Sequence, residues 1–332
     1  AEAVLDMAGG GPLPTEDLLK ETNVSQNINP RLRAFSLHFA LQEDARFDEV
    51  GPAGQVLWFL HRLEPPEVTF PPRRLQNAAP GYDPSKLAPV LQALVREIDD
   101  ELSPAPEAVE SASQVVVTLT FPHRRVGTLP LSPRLGPLFP TAYESPRIRF
   151  MLVDGESGAK FPGWVVRAEH YVIGLDELYK RHDVPVGGQL TIKQGDQPGE
   201  VVVRAHKRRP AREWARTAAP GPDGRLTFTM QKRAIAVEYD DLMIVAVDDF
   251  TAVDAVWLKS ENMPFDRLVA DIFRELAKLN PQSAVHAKTL YAAVNVARRS
   301  PPGPIFAELV ARPYYAHVGD AYWRFDQTHW RE

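Results

Sequence analysis

The most distinctive chemical feature of the chain is the group of cations in residues 201–216, which read VVVRAHKRRPAREWAR. This stretch holds six Lys and Arg residues and a single acid, Glu213, in a chain whose net charge is −5. Arginine can bind a phosphate through two parallel hydrogen bonds, and Trp214 can anchor the same segment. The stretch therefore predicts contact with a polyanion. The cations assigned to this contact are Lys207, Arg208, Arg209, Arg212 and Arg216.

Acidic residues follow this stretch within a few tens of positions and allow two other interpretations. They could pair with the arginines as an electrostatic clamp inside the same chain, or they could bind the metal of a nuclease or hydrolase. A clamp would make the cations structural, whereas a metal site would make the acids catalytic. The acids concerned are Glu238, Asp240, Asp241, Asp248, Asp249 and Asp254.

Motifs that would identify an enzyme are missing from the sequence. No Lys has an acid two residues before it, which is the usual nuclease arrangement, and no phosphate-binding glycine motif or nucleophile elbow occurs. The histidines lack the close spacing of zinc ligands. We therefore expect no catalytic residue, no metal site and no cofactor, and predict a protein that is not an enzyme.

The charge is distributed unevenly along the chain. Residues 113–235 carry 19 Lys and Arg against 11 Asp and Glu, whereas residues 1–65 carry 5 against 10 and residues 236–263 carry 1 against 7. A polyanion would be attracted to the basic middle of the molecule and not to its whole surface.

Length and composition limit the possible classes of protein. A chain of 332 residues is expected to form two to four domains. It has no cysteine, which excludes disulfides and thiolate metal sites and is typical of a reducing compartment. The sequence contains no apolar run long enough to predict a transmembrane helix, and its first residues do not resemble a signal peptide. We expect a cytoplasmic protein without a membrane partner.

The pattern of apolar residues predicts an α+β multidomain protein. Residues 1–65 read as helices followed by a hairpin. Residues 66–112 read as a linker that contains one amphipathic helix, and the linker ends in the boundary segment SPAPEAVESAS. Residues 113–262 read as many short strands, which favours a barrel-like domain. Residues 263–332 return to helices and close with a second hairpin.

The two ends share a sequence pattern of an aromatic residue, Val-Gly, a turn and a Trp. It occurs in RFDEVGPAGQVLWFL and again in YYAHVGDAYWRFD. Both ends resemble winged helix-turn-helix modules, and the C-terminal one resembles the HARE-HTH group. The resemblance implies DNA contact or protein contact, and the acidity of residues 1–65 favours protein for the first module. The cations that the two modules would offer to DNA are Arg31, Arg33, Lys288, Arg298 and Arg299.

The middle of the chain contains Leu129-Pro130, then Lys160 and Trp164 in a hairpin, then a short helix before Val186-Gly187-Gly188. This order resembles the B3-type DNA-binding pseudobarrel. The resemblance implies that two loops grip the major groove of DNA. The residues carried over to those loops and the adjoining strand are Arg124, Arg125, Lys160 and Arg167.

Taken together, these patterns predict a non-enzymatic protein that binds double-stranded DNA through its basic central domain, with a winged helix at each end. One alternative is a scaffold whose winged helices bind other proteins. A second alternative is a metal-dependent nuclease or hydrolase that uses the acids at 238–254.

Overall fold

The computed structural model describes residues 1–22, 27–106, 112–142 and 145–330. Helices and several sheets occur together, which confirms the predicted α+β class. Part of the predicted boundary segment near residue 107 lies outside the described residues. The helices are α1 Glu2–Met7, α2 Thr15–Glu21, α3 Pro30–Gln42, α4 Pro66–Thr69, α5 Pro89–Ile98, α6 Phe121–Val126, α7 Asp176–Arg181, α8 Phe250–Ser260, α9 Phe265–Ala277, α10 Ala287–Ala297 and α11 Pro302–Ala311.

In the part of the chain that the structure describes, the strands fall into four sheets. They are β1 Leu13–Pro14, β2 Phe47–Glu49, β3 Leu57–Leu60, β4 Gln114–Thr118, β5 Thr128–Pro130, β6 Arg147–Asp154, β7 Lys160–Val166, β8 Tyr171–Ile173, β9 Gln189–Gln194, β10 Glu200–Ala205, β11 Lys207–Pro220, β12 Leu226–Val237, β13 Val245–Val247, β14 Ala284–His286, β15 Tyr315–Gly319 and β16 Tyr322–Phe325.

The two ends of the chain have the same order of elements. Each has a helix, a strand, two helices and two strands, and the sheet orders β1-β3-β2 and β14-β16-β15 correspond. Trp58 on β3 faces Leu13 on β1, and Trp323 on β16 faces Val285 on β14. Both Trp side chains are buried. The shared Val-Gly/Trp pattern therefore marks the last strand of each unit.

Helix α3 has a capped first turn, and one of its apolar faces is exposed. The Asn29 side chain accepts a hydrogen bond of 2.9 Å from the Arg31 N–H, which caps the helix. The apolar residues of this face are largely exposed, with 54% of Leu32, 65% of Phe35 and 54% of Phe39 accessible. The small N-terminal core is built from residues of α1, α2, β2 and β3, and α3 contributes Leu41 and the half-buried Leu37 to it.

The central domain is a curled seven-stranded sheet with the order β4-β9-β10-β6-β7-β8-β5. Only β10 and β6 pair in parallel; the other neighbours are antiparallel. Strand β6 alternates between half-buried and buried residues over its whole length, because every second side chain points into the concave core. Leu152 and Val165 are among the fully buried residues of this core.

The basic stretch spans most of β10 and the first part of the long strand β11, which carries the cations from Lys207 to Arg216. Strand β11 pairs antiparallel with β12 and parallel with the short β13, in a sheet separate from the seven-stranded one. Its sequence shows no clear alternation of apolar residues, so its strand conformation comes from pairing with β12.

The largest core crosses the predicted domain boundaries. Leu91 of α5, Phe228 of β12 and Val256 of α8 belong to the same buried cluster as Phe273 of α9. The segment expected to be a linker is therefore packed against the C-terminal helices. Within the described residues, no helix is long and apolar enough to cross a membrane.

Candidate nucleic-acid interface and carboxylate cluster

One side of the β11–β12 hairpin presents cations and an aromatic ring to solvent. Arg212 and Trp214 lie on the same side of β11, since they are two residues apart, and Lys232 lies opposite Trp214 on β12. The Lys232 Nζ is 5.4 Å from the centre of the Trp214 ring, and 58% of Trp214 is exposed. Arg209 is exposed nearby, beyond an irregularity in the register. We call Arg209, Arg212, Trp214 and Lys232 the hairpin face.

The two arginines of the hairpin face have no partner inside the protein. Neither Arg209 nor Arg212 makes an ion pair or side-chain hydrogen bond with any part of the chain that the structure describes. They are therefore available to an external anion.

The other cations predicted in this stretch are engaged internally. Lys207 lies 2.5 Å from Glu156, and Arg208 bonds Glu213 at 3.1 Å while lying over the Tyr239 ring. Arg216 donates to the carbonyl oxygen of Asp241. These partners are not the carboxylates at 238–254 that the clamp interpretation named. The hairpin face is the part of the stretch whose side chains have no such internal partner.

The cations predicted from the pseudobarrel resemblance are also held by the protein. Arg124 donates to the Val184 carbonyl, and Arg125 pairs with Asp254 at 2.7 Å. Lys160 pairs with Glu200. Arg167 donates to the carbonyls of Phe139 and Pro140. The segment expected to be a DNA-gripping arm is the short helix α6, whose first turn is buried.

The C-terminal cations lie in the interior, which does not suit the predicted phosphate contacts. Lys288 bonds Glu97 and Asp240 at 2.5 Å each. Arg298 donates to backbone carbonyls at the end of α8, and Arg299 is 1% exposed. Their sequence could not show this, because their acceptors come from distant segments.

The N-terminal arginines differ from the C-terminal cations. Arg31 is exposed at the start of α3, and no ion pair joins it to the described residues. Arg33 is half-buried, and its Nε has no hydrogen-bond partner among those residues. Both lie in the first turn of the helix, and Arg31 is the one whose side chain is exposed.

The acids at 238–254 do not gather into one site. Asp254 binds Arg74 and Arg125, Asp248 binds Arg233, and Asp240 binds Lys288. Asp249 caps α8 by accepting from the Ala252 N–H at 2.9 Å. Each of these carboxylates already has a structural partner, so the predicted alternative of a metal site here has no support.

A different cluster forms where the N-terminal unit meets the central sheet. Asp48 lies on β2, and His61 and Glu64 flank the 3₁₀ turn that follows β3. The His61 Nδ1 is 3.1 Å from the Asp48 Oδ2 and 3.7 Å from the Glu64 Oε2. Donor atoms of the three residues all lie within 4.8 Å of one another. We call these residues the carboxylate cluster.

Arg147, at the start of β6, closes one side of the carboxylate cluster. Its Nη2 donates to Asp48, and its Nε lies 3.3 Å from the Glu64 Oε2. The Glu64 side chain is fully buried, yet neither of its oxygens accepts a hydrogen bond. Two carboxylates in contact need a cation or a proton between them.

The surroundings move the two acidic pKa values in opposite directions. Burial, contact with Asp48 and repulsion from its charge raise the pKa of Glu64 to about 8. Burial also opposes ionisation of Asp48, but its contacts with Glu64 and His61 and the charge of Arg147 lower its pKa overall. The pair therefore contains one strong and one weak acid, as acid–base and metal sites often do.

Sequence reasoning missed this cluster. Its one local signal is the spacing of three residues between His61 and Glu64 at the end of a strand. Asp48 joins them only because β2 pairs with β3, and Arg147 comes from another domain.

Two known proteins are similar to part of the chain. One is the crossover junction endodeoxyribonuclease RuvC of Parasynechococcus marenigrum (strain WH8102), 30% identical over 92 residues, which are 28% of this chain and 60% of that protein. The other is the protein of the same name from Synechococcus sp. (strain CC9605), 30% identical over 89 residues, 27% of this chain and 58% of that protein. The chain thus spans about three fifths of these relatives. No family model and no solved structure matches it.

These similarities contradict the prediction that the protein is non-enzymatic, because both relatives are enzymes. The prediction rested on the absence of local motifs. A cluster such as Asp48, His61 and Glu64 is assembled by strand pairing and leaves no such motif.

Proposed function

We propose that this protein binds DNA and cleaves it as an endonuclease. The observation that carries the proposal is the hairpin face, a solvent-exposed surface with two unpaired arginines beside an exposed Trp. Arginines of this kind bind phosphates, and an exposed aromatic ring can stack on an unpaired base. The names of the similar proteins supply the reaction class and a DNA junction as the first substrate to test.

The element orders support a further proposal for the architecture. We propose that residues 1–65 and 263–332 are winged-helix modules, since each has the helix and strand order of that motif. We also propose that the curled sheet is a relative of the B3-type pseudobarrel that assists in holding double-stranded DNA. Its loop cations are paired internally, which assigns the main phosphate contacts to the hairpin face.

A second candidate function is protein binding by the N-terminal unit. The observation that favours it is the exposed apolar face of α3, formed by Leu32, Phe35 and Phe39, whose two Phe rings stack with centres 6.4 Å apart. Apolar faces of this kind often mark protein contacts. This function is compatible with DNA cleavage, because it uses a different surface.

The proposal predicts how a double variant changes DNA binding. Replacing Arg209 and Arg212 by Ala should weaken binding to a four-way junction and to duplex DNA, and should reduce the slope of log affinity against log salt by about two. Fluorescence anisotropy at several salt concentrations measures this slope. A matched variant in which the exposed Arg96 and Arg267 become Ala should keep the wild-type slope.

Cleavage is tested separately with labelled junction and duplex DNA and added Mg²⁺ or Mn²⁺. We expect nicking that requires the metal and is slower in the Arg209/Arg212 double variant. Binding with an unchanged salt slope in that variant would reject the hairpin face as the DNA interface, and a purified protein that cuts neither substrate would reject the endonuclease.

A further inference from the structure

We propose that Asp48, His61 and Glu64 bind one divalent metal ion. The ligands are one imidazole nitrogen and two carboxylates. This set suits Mn²⁺ or Zn²⁺ better than Ca²⁺, which prefers to be surrounded by oxygen ligands alone. Metal binding stands on the geometry alone. A part for the ion in cutting DNA rests on the proposed function.

The separations of the donor atoms fit a single ion. Two donors bound tetrahedrally at about 2.1 Å from one ion lie about 3.4 Å apart. The distances from the His61 Nδ1 to the oxygens of Asp48 and Glu64, 3.1 Å and 3.7 Å, lie on either side of this value. The third separation, between the Asp48 and Glu64 oxygens, is at most 4.8 Å. An ion between the three residues therefore requires side-chain rotations that bring these two oxygens to about 3.4 Å.

The buried Glu64 is the independent observation that points to a cation. Its side chain is completely removed from solvent, and neither carboxylate oxygen accepts a hydrogen bond from the residues that the structure describes. Its Oε2 has ion-pair contacts with the Arg147 Nε at 3.3 Å and the His61 Nδ1 at 3.7 Å, which lie outside hydrogen-bond geometry. A buried carboxylate without a donor is costly, and proteins normally satisfy it with a hydrogen bond, a proton or a metal. One of its oxygens belongs to the same cluster as the Asp48 and His61 donors.

The local charge also favours a cation. Asp48 and Glu64 carry two negative charges when ionised, and Arg147 is the cation that contacts both. One negative charge then remains without compensation. A divalent ion would turn the site into a net positive one, which attracts phosphate.

His61 keeps the site open to solvent. Its side chain is 45% exposed, whereas Glu64 is enclosed. An ion bound here would have protein ligands on its inner side and positions for water or a phosphate oxygen on its outer side. This is the arrangement of metal sites that do chemistry, as opposed to closed structural sites.

The competing explanation is that Asp48 and Glu64 share a proton and bind no metal. Titration calorimetry of the full chain with MnCl₂ and ZnCl₂ at pH 7.5, together with the electron paramagnetic resonance signal of Mn²⁺, separates the two. We expect one ion per chain and a rise in melting temperature on adding metal. Absence of binding for both ions would overturn the proposal.

Three variants locate the site. Glu64→Gln, Asp48→Asn and His61→Ala should each weaken metal binding at least tenfold and remove the metal-dependent rise in melting temperature. His61→Ala keeps the test valid if the buried variants fail to fold, because His61 is half-exposed. The control is Asp44→Asn, which changes an acid of the same unit paired with Arg46 outside the cluster. Equal affinity in wild type and His61→Ala would place the ion elsewhere and overturn the proposal.

The outcomes for metal and for DNA are distinguishable. Metal binding that is lost in the three variants, in a protein that cuts no DNA, would support the site and reject the proposed function. Cleavage that persists unchanged in His61→Ala, with no metal bound by wild type, would reject the site and keep the proposed function.

Discussion

Individual arginines of this protein have different roles according to the acceptors near them. Arg125 and Arg299 each meet a carboxylate inside the fold, and their charges are used to hold segments together. Arg209 and Arg212 meet no acceptor among the described residues and face solvent. The same residue type is therefore structural in one place and available to a ligand in the other.

Trp214 provides a prediction at the scale of one residue. Trp214→Ala should reduce affinity for single-stranded or junction DNA about 5- to 150-fold, since stacking on one base contributes about 1–3 kcal/mol. Affinity for intact duplex should change much less, because its bases are already stacked. The affinity of Trp214→Phe for single-stranded or junction DNA should lie between those of wild type and Trp214→Ala.

Anisotropy titrations with single-stranded, junction and duplex DNA at one salt concentration test this prediction. The unfolding free energy should change by only about 0.5 kcal/mol, because the ring is largely exposed. An equal loss of affinity for all three substrates would show that Trp214 does not contact unpaired bases.

At the scale of elements, the turn between β6 and β7 depends on one buried carboxylate. Asp154 accepts hydrogen bonds from the Ser157 hydroxyl at 2.7 Å and from the Glu156 N–H at 3.0 Å, and it lies 2.9 Å from the His182 Nε2. Burial alone would raise the pKa of Asp154, but these hydrogen bonds outweigh it and hold the pKa well below its ordinary value of 3.8.

This shift predicts how stability depends on pH. Because the folded state lowers the pKa of Asp154, the unfolded chain binds the proton more readily, so the stabilisation is complete well above pH 3.8 and is lost as the pH falls below it. Between pH 6 and pH 3, the free energy of unfolding measured in urea should fall less for Asp154→Asn than for wild type. Equal losses would contradict this role, and Asp223→Asn, in an exposed turn, is the control.

At the scale of the whole molecule, a buried polar network joins three parts of the chain. Arg299 bonds both oxygens of Asp100, at 2.8 Å and 2.7 Å, and one oxygen of Glu101 at 2.7 Å. Glu101 also lies 3.0 Å from the Nε2 of His123, next to the central sheet. The charges of Arg299 and His123 lower the pKa of Glu101 despite its burial. The segment before the sheet is thereby fixed to the C-terminal helices.

Removing the central cation of this network should destabilise the protein strongly. Arg299→Ala should lower the unfolding free energy by about 3–5 kcal/mol, because it leaves Asp100 and Glu101 buried without compensation. Urea unfolding followed by circular dichroism measures this loss. The control variant Arg324→Ala, at an exposed position, should change the unfolding free energy by only about 0.5 kcal/mol. A similarly small effect for Arg299→Ala would show that the network does not hold the three parts of the chain together.

The sequence by itself determined the local elements. Asn29 and Pro30 mark the start of α3, the alternation in residues 147–154 marks β6, and the spacing of apolar residues in 265–277 marks α9. These features depend on neighbours within a few residues, through capping, pleat and helical period. The concentration of cations in residues 201–216 was also visible, but the sequence left open whether acids of the same chain pair with them.

Only the tertiary structure decided what each charged residue does. Arg299 meets Asp100 across 199 positions of sequence, and Arg147 reaches Asp48 across 99. Strand pairing brought Asp48 to His61 and Glu64, and pairing with β12 made a strand of the basic stretch. Ion pairs and ligand clusters form between side chains that are close in space, and periodicity along the chain carries no information about which distant segments will meet.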